Sequence, residues 1–248
     1  MNWPSQENIA QYIAKAGTAA WQVPKLSKGT QKRSIQKVGI IGAGTMGGGI
    51  SMNFATAGID VTIVEENAEA LERGLSIVRS NYQSSADKGR FPQAEVEARM
   101  ARLSGKLSLD ALCNCDLIIE AVFENMGLKC QIFSALDQIA KPGAILATNT
   151  SALDIDEIAS MTKRPQDVIG LHFFSPANVM KLLEIVRAKK TADDVVATCM
   201  DLAKTINKIA TLVGVCPGFV GNRILYARQD QGQKLLYKGV MPWDTTRR

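Results

Sequence analysis

Val38-Gly39-Ile40-Ile41-Gly42-Ala43-Gly44-Thr45-Met46-Gly47 reads as a short apolar strand that runs into a glycine loop and opens a helix. Gly-x-Gly-x-x-Gly is a weak signal alone; between a strand and a helix it describes a dinucleotide cradle. Each glycine then has a task. Gly42 permits the tight turn, Gly44 lets backbone approach a pyrophosphate, and Gly47 lets the helix lie close to the strand. Thr45 and Met46 start that helix, whose N-terminal amides face the phosphates. A second apolar strand at 61–64 completes a βαβ unit, and βαβ units imply parallel strands. Glu65 ends that strand 18 positions after Gly47, where a carboxylate can accept hydrogen bonds from both ribose hydroxyls. With Glu66 beside it, a 2′-phosphate is repelled, so NAD is expected over NADP. FAD is the competing dinucleotide, and a purely structural glycine turn is the bland alternative.

Working outward, alternating patterns predict helices at 45–57, 68–88, 92–103, 128–140, 155–161 and 192–206. Strands are predicted at 38–41, 61–64, 116–120, 144–147, 168–174, 182–186 and 210–215. The fold class is α/β: a Rossmann-like, doubly wound, mostly parallel sheet, with added antiparallel strands and a projecting helical arm at 68–103. Residues 1–34, with Trp3-Pro4, Trp21 and Pro24, read as a linker or N-terminal extension holding one helical patch near 6–16. Residues 35–215 form the dinucleotide-binding domain. From 216, Pro217 opens a helix-like run whose apolar residues Ile224, Leu225, Leu235 and Leu236 face nothing obvious in the chain, which suggests an absent partner.

Composition narrows the classes. The 248 residues are 46% hydrophobic and 21% charged, ordinary for a globular core, with a formal charge of +5. The cations are scattered among acids, the densest cluster being Lys28, Lys32, Arg33 and Lys37, which argues against nucleic acid. Five cysteines without a Cys-x-x-Cys pair, and one histidine, make no zinc set; reduced thiols in a cytoplasm-like compartment are expected. No apolar run is long enough for a membrane span, so a soluble protein is expected.

The one histidine, His172, lies in Gly170-Leu171-His172-Phe173-Phe174. A single imidazole downstream of a nicotinamide site is what alcohol oxidation needs to take a proton; a packed core histidine is the alternative. A hairpin centred on Asn178 sets His172 opposite Glu184, where the carboxylate would fix the tautomer and leave the second ring nitrogen free. A stabilising cross-strand pair without catalysis is the other reading. Ligands of open α/β sheets bind at strand carboxyl ends, which brings in Glu120 to Glu124, with Ala121 between, and Thr148 to Ser151. Ser151 followed by Asp154 suits a helix cap. Asn222 could donate to a carbonyl oxygen.

These segments resemble the L-3-hydroxyacyl-CoA dehydrogenases from about residue 38 to about 239. The resemblance rests on the glycine loop, Glu120-Ala121-Val122-Phe123-Glu124-Asn125, Asn149-Thr150-Ser151, Gly170 to Pro176, Val179 to Glu184, and Pro217 to Arg223. Ser175 and the 151–160 run look closest to the dehydrogenase part of multifunctional fatty-acid oxidation enzymes. The resemblance implies NAD-dependent oxidation of an (S)-3-hydroxyacyl-CoA to the 3-oxoacyl-CoA. His172 would abstract the hydroxyl proton, Glu184 would support it, and Ser151 and Asn222 would bind the reacting oxygen, which demotes the cap reading of Ser151. Glu65 would hold the adenosine ribose; Glu124, Lys129, Ser151 and Ser175 would line the nicotinamide half. It further implies a C-terminal helical domain, of which only the first helix is present, so that the family's dimer interface is largely absent and the exposed terminal helix is the remaining contact surface. Turnover is then expected to be weak, with an NAD-binding module lacking turnover as the second hypothesis. A third, the lysine-using 3-hydroxy acid dehydrogenases, shares the glycine loop but not the His172–Glu184 pair. The family leaves mitochondrial and peroxisomal compartments open.

Overall fold

The computed structural model describes residues 5–24, 26–27 and 29–243; Trp3, Pro4 and Lys28 lie outside them. Eight strands form one sheet: β1 (Lys37–Ile41), β2 (Asp60–Val64), β3 (Leu103–Lys106), β4 (Leu117–Glu120), β5 (Ile145–Thr148), β6 (Val168–Phe173), β7 (Leu182–Arg187) and β8 (Ile209–Gly214). Their order is β3-β2-β1-β4-β5-β6-β7-β8. The first six are parallel, β7 runs antiparallel to β6, and β8 runs parallel to β7. Successive strands are added outward in opposite directions from β1 and from β4, which leaves a crevice beyond the carboxyl ends of these two strands, where such folds take ligands.

Helices cover both faces: α1 (Gln6–Ala19), α2 (Thr45–Thr56), α3 (Ala68–Asp87), α4 (Gln93–Met100), α5 (Met126–Ile139), α6 (Ile155–Ser160), α7 (Asp193–Thr205) and α8 (Gly221–Tyr237). Continuous apolar runs make the central strands because each is buried on two sides. Ile40, Ile63, Ile119 and Ile169 point to the α2 and α7 face, and Ile41, Val64, Ile118 and Leu146 to the α5 and α6 face.

Three expectations need correction. The predicted helix at 92–103 stops at Met100, and Leu103–Lys106 is the edge strand β3. Only Leu103 in it is a large apolar residue, and Gly105 is there because a Cβ would strike Leu71, so no strand pattern was available to read. The described residues between Trp21 and Ile35 are not a free linker. Trp21, Val23 and Ile35 pack on the core, and Arg33 ties Asp167 and Asp194 at 2.7 and 2.8 Å. The N-terminal helix is also longer than expected, reaching Ala19 from its Ser5 cap. The α3–α4 arm is anchored at its base by Val78, Tyr82 and Val96 against Met52 of α2.

Candidate active site

Gly42 has φ 100°, and a Cβ there would meet the Ala121 carbonyl 2.8 Å away. A Cβ at Gly47 would overlap the Gly42 carbonyl oxygen, and one at Gly74 of α3 would overlap that of Ala43. Loop, α2 and α3 therefore meet backbone to backbone. Gly44 is the N-cap of α2 and supplies no side-chain cap, so the first amides of the helix remain for an anion. A cavity of about 420 Å3 opens beside it, lined by Gly42, Gly44, Thr45, Met46, Glu65 and Ala121 among others. The Glu65 carboxylate accepts from the Ala43 amide at 2.9 Å and the Glu66 amide at 3.0 Å, which fixes it at the cavity edge. Bare helix amides, no Cβ in the way and a fixed carboxylate at the far end fit a dinucleotide.

A second group gathers where β4, β5, β6 and α8 begin or end. His172 and Glu184 face one another in the β6–β7 register, and Nδ1 of the imidazole lies 2.7 Å from Oε2 of the carboxylate. Nδ1–H must donate to that carboxylate, which leaves Nε2 with its lone pair. The ring is 5% exposed and packs against Phe174 and Phe219, whose centroids are 4.3 and 5.7 Å away. Glu184 Oε1 accepts from the Val220 and Gly221 amides at 3.0 and 2.8 Å. Burial alone would raise the Glu184 carboxyl, but the imidazole and these two amides outweigh it and hold it below the usual range.

Glu124 is the other hub. Its Oε1 accepts from Thr150 Oγ1 (2.7 Å), the Ser151 amide (2.7 Å), Ser151 Oγ (3.0 Å) and the Ala152 amide (3.2 Å). Burial pushes its carboxyl up, and these donors with Lys129 bring it below the ordinary value. Asn222 Nδ2 donates to the Ser151 carbonyl at 3.4 Å, so the start of α8 is joined to the end of β5. The cap of α6 is Asp154, not Ser151.

Lys129 sits behind this wall. It is 1% exposed, with Nζ 2.7 Å from Glu120 Oε1 and 3.5 Å from Glu124 Oε2. Glu120 is wholly buried and also accepts from Thr148 Oγ1 at 2.7 Å and the Val122 amide at 2.8 Å. Ser175 is exposed on the β6–β7 loop, next to the cis Ser175–Pro176 bond. Sequence reading placed Glu120 and Asn149 at the strand ends but gave neither a role; Asn149 Oδ1 accepts from the Phe173 amide at 2.9 Å. A carboxylate closing a run as apolar as Leu117–Ile119, with a lysine in the first turn of the next helix, was the available clue. Among the described residues no His, Cys, Asp and Glu cluster could hold a metal, and no helix is long and apolar enough to cross a membrane.

The 3-hydroxyacyl-CoA dehydrogenase NAD-binding domain profile matches residues 37–216. The chain is 43% identical over 94% of its length to the peroxisomal bifunctional enzyme of Cavia porcellus, and covers 32% of that protein. It is 40% identical over 83% of its length to a probable 3-hydroxybutyryl-CoA dehydrogenase of Bacillus subtilis, covering 72% of it. Among solved structures, the (S)-3-hydroxybutyryl-CoA dehydrogenase of Ralstonia eutropha superposes with a TM-score of 0.83 at 37% identity, over 85% of this chain and 75% of that one. The chain thus spans about a third of the length of the bifunctional relative it matches.

Proposed function

The chain belongs to the 3-hydroxyacyl-CoA dehydrogenase family, and from that membership we propose that it carries NAD-dependent oxidation of a (S)-3-hydroxyacyl-CoA to the 3-oxoacyl-CoA. The observation that carries the reading is the His172–Glu184 contact, with the second Glu184 oxygen anchored to two backbone amides. NAD held on the glycine loop supplies the hydride acceptor. The protein must take the hydroxyl proton, and His172 Nε2 is the lone pair available for it. Glu184 stabilises the imidazolium that results. Ser151 Oγ, which donates to Glu124, must turn its proton to the reacting oxygen, because that oxygen's own single proton goes to His172 Nε2. Asn222, tethered to the Ser151 carbonyl, keeps a second amide N–H for the reacting oxygen. Thr45, Met46, Glu65 and Ala121 bind the adenosine side of NAD, and Ser151, Ser175 and Glu124, braced by Lys129, border the nicotinamide side.

The division proposed is a 35–215 NAD-binding unit preceded by an extension and followed by a helical segment from 216. The five free thiols suit a reducing compartment, a condition met by cytoplasm and by the peroxisome of the relative's name. One observation favours a second reading, NAD binding without turnover: α8, next to the site, has no buried residue, and Ile224 and Leu225 are exposed. Reduction of acetoacetyl-CoA, followed by loss of NADH absorbance, separates the two. Turnover abolished by His172→Ala supports the dehydrogenase; NAD binding with no turnover in the unaltered chain selects the second reading.

A further inference from the structure

The β5–β6 ladder ends where Thr148 pairs with Gly170, although β6 runs on to Phe173. The Phe173 amide, left without a strand partner on that side, donates instead to Asn149 Oδ1 at 2.9 Å. Asn149 thus makes the last rung between these strands with its side chain, one residue beyond His172. Its backbone is fixed from both directions. The Asn149 amide donates to the Glu120 carbonyl at 2.8 Å, and the neighbouring Thr148 and Thr150 hydroxyls donate to the Glu120 and Glu124 carboxylates at 2.7 Å each. Because the Phe173 N–H needs an acceptor, the oxygen end of the Asn149 amide is settled and the NH2 end must point elsewhere. That end carries two N–H donors, and among the described residues neither has a partner. Nor is it sealed in: among the described residues no fully buried side-chain polar atom lacks a hydrogen bond, so Nδ2 is open to solvent. A half-buried amide, locked in orientation and with both donors idle, stands at the carboxyl end of β5, the edge at which such sheets take ligands.

We propose that Asn149 is a further binding residue of the site, whose Nδ2 donates to a carbonyl oxygen of the ligand seated at His172. This rests on the dehydrogenase reading for the identity of the ligand; the donor and what fixes it come from the sheet. The reacting oxygen already has His172, Ser151 and Asn222, so the donor of Asn149 serves the next oxygen along. Two carbonyls stand close enough to the chemistry. The thioester carbonyl of the acyl-CoA is separated by one methylene from the carbon that changes oxidation state, and the carboxamide of nicotinamide is carried by the ring carbon beside the one that takes hydride. Both present the same acceptor, and both would be held in register with His172, because the amide that binds them is tied to the residue after it.

The test is calorimetric titration of the full chain with NADH, ADP-ribose and acetoacetyl-CoA, each alone. NADH carries the carboxamide on an uncharged ring, acetoacetyl-CoA carries the thioester carbonyl, and ADP-ribose has neither, so it reports only on the glycine loop and the fold. Asn149→Asp keeps an oxygen for the Phe173 amide and removes both N–H donors, and its melting temperature should match that of the unaltered chain. Its affinity for NADH or for acetoacetyl-CoA should fall at least ~10-fold while ADP-ribose binding holds, the scale of a ligand oxygen left without its donor. The ligand that loses identifies the carbonyl. Because a carboxylate also brings a charge, Asn149→Ala provides a second variant: it should show the loss for the same ligand, again with ADP-ribose retained, and a lower melting temperature from the missing rung. The proposal is overturned if either folded variant binds all three ligands within about twofold of the unaltered chain, or if ADP-ribose weakens as much as the other two, which would make Asn149 a structural rung alone. The expected losses in a chain that does not turn over acetoacetyl-CoA would count against the dehydrogenase reading and leave the binding role in place.

Discussion

Replacing Glu184 with Gln isolates what the carboxylate does for the imidazole. Glu184 accepts three hydrogen bonds, one from His172 Nδ1 through Oε2 and two from the Val220 and Gly221 amides through Oε1. An amide can place its oxygen on only one of these sides. Turned with its NH2 toward the two backbone amides, it leaves two buried N–H donors unpaired, a cost of about 2–6 kcal/mol at ~1–3 each. Turned the other way it keeps both backbone bonds and presents N–H to His172 Nδ1, which then must be the acceptor. The second arrangement wins by several hydrogen bonds' worth, because the two imidazole tautomers differ little in intrinsic energy. The ring proton moves to Nε2, and the atom needed to take the substrate proton no longer has a lone pair. Glu184→Gln should therefore lower kcat by about 10²–10⁴-fold, the worth of a general base, with the NAD dissociation constant little changed. Because His172 is the only histidine, ¹⁵N-edited spectra of its ring report the tautomer without assignment. The reasoning is refuted if the variant keeps the Nδ1–H form, or if turnover falls less than about threefold.

Lys129→Met would leave the Glu120 charge, wholly buried, facing a methyl group. It should destabilise the fold by about 3–5 kcal/mol in urea unfolding, with Glu120→Gln added on top restoring part of the loss. A change under about 1 kcal/mol would show that the pair is not what holds this wall. Gly47→Ala drives a methyl into the Gly42 carbonyl and should cost about 1–3 kcal/mol, whereas Gly44→Ala meets nothing within 4 Å and should leave the melting temperature alone while weakening NAD binding. Equal melting temperatures for the two would contradict the packing described. Glu184 and Glu124 are both held below the ordinary carboxylate range, so their contribution is fully present above the unfolded value near ~4.3 and is lost as pH falls through the lower folded values. Melting temperature should fall steeply on the acid side of that point, and less steeply in Glu124→Gln; identical acid limbs would refute the assignment.

The legible parts of this chain were those where one physical rule acts alone. Strands buried on both faces must be apolar throughout, so β1, β2, β4 and β5 stood out. The hairpin register, argued from the loop centre at Asn178, set His172 opposite Glu184 as the structure does. What escaped were features whose cause is far away along the chain. β3 is an edge strand of mixed residues and takes its shape from pairing with β2, not from its own pattern. Arg33 looked like part of a solvated basic run because its partner Asp194 lies 161 residues away. In the site, chemistry-bearing side chains were found from residue type, but the supports were not: Glu120 looked like the end of a strand, and the Val220 and Gly221 amides have no side-chain signature at all.

Those two amides make Glu184 a junction between the start of α8 and the reacting ring. The same carboxylate that sets the imidazole proton also receives the first backbone groups of α8, so tilting that helix must redistribute its hydrogen bonds. Whatever packs on α8 from outside therefore bears, through one carboxylate, on how the His172 ring is held without touching it.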